Sequence, residues 1–177
     1  ATTNMASASA MITWVMFDAL VGRKISAMGA CIGAVVGLVA ITPAAGFVNL
    51  GQSVFIGFVA AIVSNMAVYY KQQTSLDDTL DVFPCHGVGG IVGMILTAVF
   101  AKDVGVVYGH YETFKFHMLT LLIVSVFTFG GSYVIFKITG WITNLRVSPE
   151  DERLGLDISQ HAETLRTSAK IALSTTV

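Results

Sequence analysis

Short polar breaks divide the first 139 positions into five apolar runs, at about 4–21, 26–46, 52–70, 78–101 and 116–139. Each is close to the roughly 20 apolar residues that a helix needs to cross a bilayer. None shows the residue-by-residue alternation of an outer-membrane strand. In lipid every backbone N–H and C=O must be satisfied within the protein, so the runs predict helices. Asp18 falls near the end of the first run, within reach of the interface. From about residue 140 the pattern changes, and charges crowd into a polar tail over 140–177. There Ser148, Pro149 and the acids that follow form a helix start, with Ser148 as N-cap. The run GLDISQHAE predicts a second short helix, capped by Asp157 or Ser159. The pattern therefore predicts an all-α, polytopic membrane helix bundle over 1–139, followed by the tail.

Composition supports the membrane reading. The chain has 177 residues and only 12% are charged. That is about half the share in soluble domains. A net charge of −1 gives no electrostatic pull toward nucleic acid. Cys31 and Cys85 each lie in an apolar run, without the spacing of a disulfide framework or a zinc motif, and are expected to be buried free thiols. Charge also sets orientation. Arg23, Lys24, Lys71, Lys137, Arg146, Arg153, Arg166 and Lys170 fall on one side of the five runs, and Lys102 and Lys115 on the other. The positive-inside rule then places the tail in the cytoplasm and the start of this sequence outside. The opening ATTNMASASA has no initiator Met and no basic stretch before an apolar core, so the sequence reads as cut from within something longer.

Small residues line the runs. Gly29, Gly33 and Gly37 recur every four positions in the second, and Gly89, Gly90 and Gly93 mark the fourth. In lipid, where no hydrophobic force drives helices together, such stripes let backbones approach for van der Waals contact. Thr42 and Pro43 predict a break near the end of the second run, as a packing feature or as part of a cavity wall.

Past Asp81 the fourth run holds no formal charge, yet His86 sits inside it, and an imidazole at membrane depth needs partners. Helical spacing puts Val82, Phe83, Gly89, Gly90, Gly93 and Thr97 on its face, with Val88, Ile91, Val92 and Ile95 opposite. With Asp77 as helix cap, His86 lies about 13 Å in; with Asp81 as cap, about 7 Å. Two readings stay open, a packing histidine bonded to a carbonyl and a histidine facing a lumen. Cys85 and His86 are adjacent and point apart, and no ligand follows four residues on, so no metal set is expected. The paired nucleophile and base of an intramembrane enzyme is not found either.

These residues carry a resemblance. LDDTLDVFPCHGVGGIVGMILTAVFA closely resembles the tenth-helix signature of the ammonium transporter family (Amt/Mep/Rh). GLVAITPAAGFV resembles its eighth helix, TTNMASASAMITWVMFDALVGRK its seventh, and ERLGLDISQHAE its cytoplasmic tail motif. The resemblance implies that the five runs correspond to helices 7–11 of a fold made of two inverted five-helix repeats. The first repeat and the sixth helix then lie outside this sequence. It implies a homotrimer in the cell membrane with ammonium or ammonia as substrate and no cofactor. Recruited ammonium is deprotonated, and a hydrophobic pore carries ammonia past paired histidines. His86 takes the place of the second, conducting ammonia or relaying the proton. Val82, Phe83 and Thr42 become lining candidates. Asp78 and Asp81 hold the cytoplasmic end of the helix or line its vestibule. Gly155, Leu156, Asp157 and His161 belong to the tail motif, which in the family answers to PII-type nitrogen-regulatory proteins. The alternative is an ammonium sensor that signals through this tail. Residues 164–177 resemble nothing in the family.

Overall fold

Small side chains decide how the helices meet. The computed structural model describes residues 1–163, so Arg166, Lys170 and the stretch 164–177 lie outside the described residues. The helices are α1 Thr2–Leu20, α2 Ala27–Ile41, α3 Leu50–Lys71, α4 Gly89–Phe100, α5 Tyr111–Ile142, α6 Pro149–Leu154 and α7 Leu156–His161. A π-helical turn, Phe83–Val88, leads into α4. Three segments are long and apolar enough by themselves to cross a membrane: Leu50–Gln72, Phe83–Phe100 and Tyr111–Ile142. The helix α2 is apolar but shorter. It ends at Ile41, just before Thr42 and Pro43, where the apolar pattern alone runs on to 46.

The chain divides into two units, Ala1–Val126 and a second that begins at Phe127. In the first, α1 packs against both α2 and α3. Ala6 and Ala10 are fully buried there. Gly29 and Gly33 lie against Trp14, and Gly37 against the Ala6 carbonyl and Ala10. Gly57 of α3 meets the backbone of Ala6. Serines supply cross-helix hydrogen bonds that partly replace the missing hydrophobic drive. Ser7 Oγ donates to Ala34 O (3.0 Å) and Ser9 Oγ to Val54 O (2.8 Å). Asn49 caps α3 in a reciprocal box with Gln52.

The fourth helix seats a stripe of Cys85, Gly89, Gly93 and Thr97 in the bundle, all buried. Gly93 is required there: any Cβ would strike the Ala40 backbone of α2. Gly89 faces Ser64 of α3 and Val36 and Val39 of α2. Gly90 departs from the expected packing role, because a Cβ on it would meet no atom within 4 Å. His86 departs from the expected shared face with Gly89, Gly93 and Thr97; it is exposed. The reason is angular. Four-residue steps keep Cys85, Gly89, Gly93 and Thr97 on one slowly advancing stripe, and His86, one residue past Cys85, is turned about a quarter of the way round from it. Val82, Phe83 and His86 are therefore exposed beside the packed seam, not in it.

No residue of α5 is buried. In the second unit, Ser148 Oγ accepts from the Asp151 backbone N–H (3.1 Å), so Ser148 caps α6. The cap expected of Asp157 or Ser159 for α7 is corrected: Gly155 ends α6 and starts α7 with no residue to spare. Its φ of +100° is a conformation that side-chain-bearing residues rarely adopt. Asp157 falls in the first turn of α7, next to Leu156, and His161 is its last residue.

Candidate functional site

Residues 72–82 join α3 to the π turn, and the bonding of that join places His86. The Asp78 carboxylate accepts from the backbone N–H groups of Val82 (2.8 Å) and Phe83 (2.9 Å). Val82 is the N-cap, and Asp78, not the Asp77 or Asp81 that spacing suggested, takes the first N–H groups on its side chain. The Phe83 N–H, opposed by partial desolvation and assisted by Val82 N–H and the Lys71 charge, holds its carboxyl below the usual carboxylate range. Asp81 instead turns the chain, with φ +52°, and its carbonyl accepts from Cys85 N–H (3.0 Å). Pro84 offers no donor, and the turn through His86 is wound in the wider π form. The π turn begins at Phe83, not 78, so His86 lies about 5 Å along the axis, nearer to the shallower expected depth of about 7 Å than to the deeper one.

Two cavities meet at this imidazole. One, of about 620 Å³, is lined by Lys71, Asp77, Asp78, Val82, Phe83 and His86 among others. The second, of about 440 Å³, has apolar walls from Met28, Ile32, Val35 and Leu80, with Cys31, Asp81 and Cys85. His86 belongs to both. Cys31 is exposed, which corrects the expectation of a buried thiol; Cys85 is buried as expected. The spread of polar and apolar residues hides this, because α2 turns Cys31 toward a space that the sequence does not disclose. Thr42 is not brought to His86: it lines neither cavity, lies beyond the level where Gly93 meets Ala40, and donates its hydroxyl to Leu38 O (2.7 Å).

Beside the join lies a buried polar network that sequence reasoning missed. Asn65 Nδ2 donates to Asp18 Oδ1 (3.0 Å), and Arg23 bonds both Asp18 and Asn65. The Arg23 guanidinium also stacks over the Tyr69 ring at 4.8 Å. Asp18, Arg23, Asn65 and Asp81 line a smaller cavity of about 200 Å³. The signal available was Asn65 and Asp18 in apolar runs, where polar groups seek partners.

An all-α bundle with membrane-length apolar helices and small-residue seams is the architecture of a polytopic membrane protein. The chain belongs to the ammonium transporter family: a family model described as Ammonium Transporter Family matches residues 1–165. The ammonium transporter of Bacillus subtilis is 37% identical over 169 residues, 91% of this chain and 42% of that protein. The crystal structure of Saccharomyces cerevisiae Mep2 is similar with TM-score 0.77 and 33% identity, over 84% of this chain and 36% of that one. A structure named Sensor Amt Protein is similar with TM-score 0.79 and 28% identity, over 90% of this chain and 40% of that one. The chain spans about two fifths of the length of such curated relatives.

Proposed function

We propose that this segment forms one wall of an ammonium-conducting passage and that His86 stands in its lumen. The supporting observation is the exposed imidazole at the meeting of a groove that reaches charged residues and a groove walled mainly by apolar ones. Ammonium and potassium are similar in size and charge, and a ring of oxygens separates them poorly. A dry passage penalises every ion, but ammonium can shed a proton and cross as a small neutral molecule. Potassium has no neutral form. A neutral imidazole offers one donor and one acceptor, which suits it to orient ammonia or hand on the proton. Val82 and Phe83 line the approach, and Asp78 and Asp81 hold the helix start at its mouth. The rest of the family's length closes the other side.

In this reading the end bearing Arg23, Lys24 and Lys71 is cytoplasmic. The active form is a homotrimer in the cell membrane, and the tail around Gly155, Leu156, Asp157 and His161 meets a PII-type regulator. The likeness to a sensor Amt structure favours one other reading, in which the tail reports ammonium. Removing residues 149–163 separates the two: a sensor keeps conduction and loses signalling, a regulated transporter loses conduction.

Cys31 gives a direct test. In a transporter of the family's full length carrying this segment, methyl methanethiosulfonate at Cys31 is expected to block methylammonium uptake, with Cys31→Ala insensitive. Complete labelling of Cys31 with unchanged uptake contradicts a passage along this groove.

A further inference from the structure

We propose that Lys71 is a positioning residue for His86, a clamp at the end of α3 that sets where the imidazole-bearing helix begins and how it is rotated; this rests on His86 acting in the passage. Lys71 is the last residue of α3. Its Nζ donates to Asp78 O (2.6 Å) and pairs with Asp81 Oδ1 (2.6 Å). The paired side chains are only 14% and 15% exposed.

Those two aspartates are the residues to which the start of the next helix is tied. The N–H groups of Val82 and Phe83 end on the Asp78 carboxylate, and Cys85 N–H ends on Asp81 O. Pro84 has no N–H to give. Every backbone donor from Val82 to Cys85 is therefore anchored on Asp78 or Asp81, and one ammonium holds both. His86 is the next residue. Asp81 sits at φ +52°, a conformation costly for a residue with a Cβ, and such a conformation persists where surrounding bonds enforce it.

The clamp also has the right place. Lys71 lines the same cavity as His86, Val82 and Phe83, on the charged side of the imidazole. Removing its charge takes from the largely buried Asp81 carboxylate the cation it pairs with, which drives that side chain toward water and frees the turn. His86 then loses its fixed aim while the seam of Cys85, Gly89, Gly93 and Thr97 stays packed. A group held about 1 Å out of place can lose most of its effect on a reacting or transferring partner.

The test uses the full-length transporter with Lys71→Met, Lys71→Arg, Asp81→Gly and His86→Ala, each measured for surface amount, half-saturating ammonium concentration and maximal uptake. Asp81→Gly removes the ion pair yet suits the positive φ, so it reports the clamp without backbone strain. For Lys71→Met and Asp81→Gly, maximal uptake per surface molecule is expected to fall about tenfold, with the half-saturating concentration unchanged. Lys71→Arg, which keeps charge and donors, is expected to restore most of it. Wild-type maximal uptake in either clamp variant, or a loss matched entirely by lower surface amount in both, overturns the proposal. His86→Ala keeps the two failures apart. Normal uptake in that variant sinks the passage reading itself, whereas impaired His86→Ala beside normal Lys71→Met sinks only the clamp.

Discussion

Asp78 uses both carboxylate oxygens on backbone donors, one on Val82 and one on Phe83. Capping of this kind is strongest when the acceptor is ionised. The Asp78 carboxyl is held below its ordinary value of 3.8 in the fold, so its contribution is present above that value and is lost as pH falls through the folded one. Thermal unfolding of the detergent-solubilised protein against pH checks this. Asp78→Asn should be less stable than wild type near neutrality, and the gap should close in acid. A gap that persists unchanged at low pH assigns the effect to packing instead. The same residue shows what the sequence conceals. Three aspartates at 77, 78 and 81 announce a helix start, yet which one takes the first N–H groups depends on Asp81 turning the chain at positive φ, and that turn is held by Lys71 ten positions earlier. Local spacing carries no record of such a bond.

Within the helices, the small residues were legible and their partners were not. Gly33, Gly37 and Gly93 stand out in the sequence as a stripe, and each lies where another backbone comes close. Gly90 has the same local signature and faces open space, because the seam follows Cys85, Gly89 and Gly93 at four-residue steps and leaves Gly90 beside it. The two glycines should respond differently. Gly93→Val drives a side chain into the Ala40 backbone and is expected to cost about 1–3 kcal/mol or more, read as a lower unfolding temperature. Gly90→Leu is expected to leave stability within about 0.5 kcal/mol while uptake falls, since it adds bulk on the His86 side. Stability lost at Gly90 with uptake per folded molecule intact points instead to a packing position against the rest of the protein. The histidine motif was legible by type and spacing. Its face was not, because a shift of one residue from Cys85 moves a side chain from the buried seam to the groove.

At the scale of the molecule, the described chain carries one side of the proposed passage. The grooves that meet at His86 are open, α5 buries none of its 32 residues, and the segment covers about two fifths of its curated relatives. Family membership and the all-helical membrane fold follow from the whole length of the match, residues 1–165. The proposed conducting role rests on one side chain, His86. Surface-normalised ammonium uptake, with potassium as competitor, in a full-length transporter bearing His86→Ala is the most direct test. The account predicts that uptake falls sharply or that discrimination against potassium is lost, with the protein present at its normal surface amount. Wild-type uptake and wild-type discrimination in that variant contradict it.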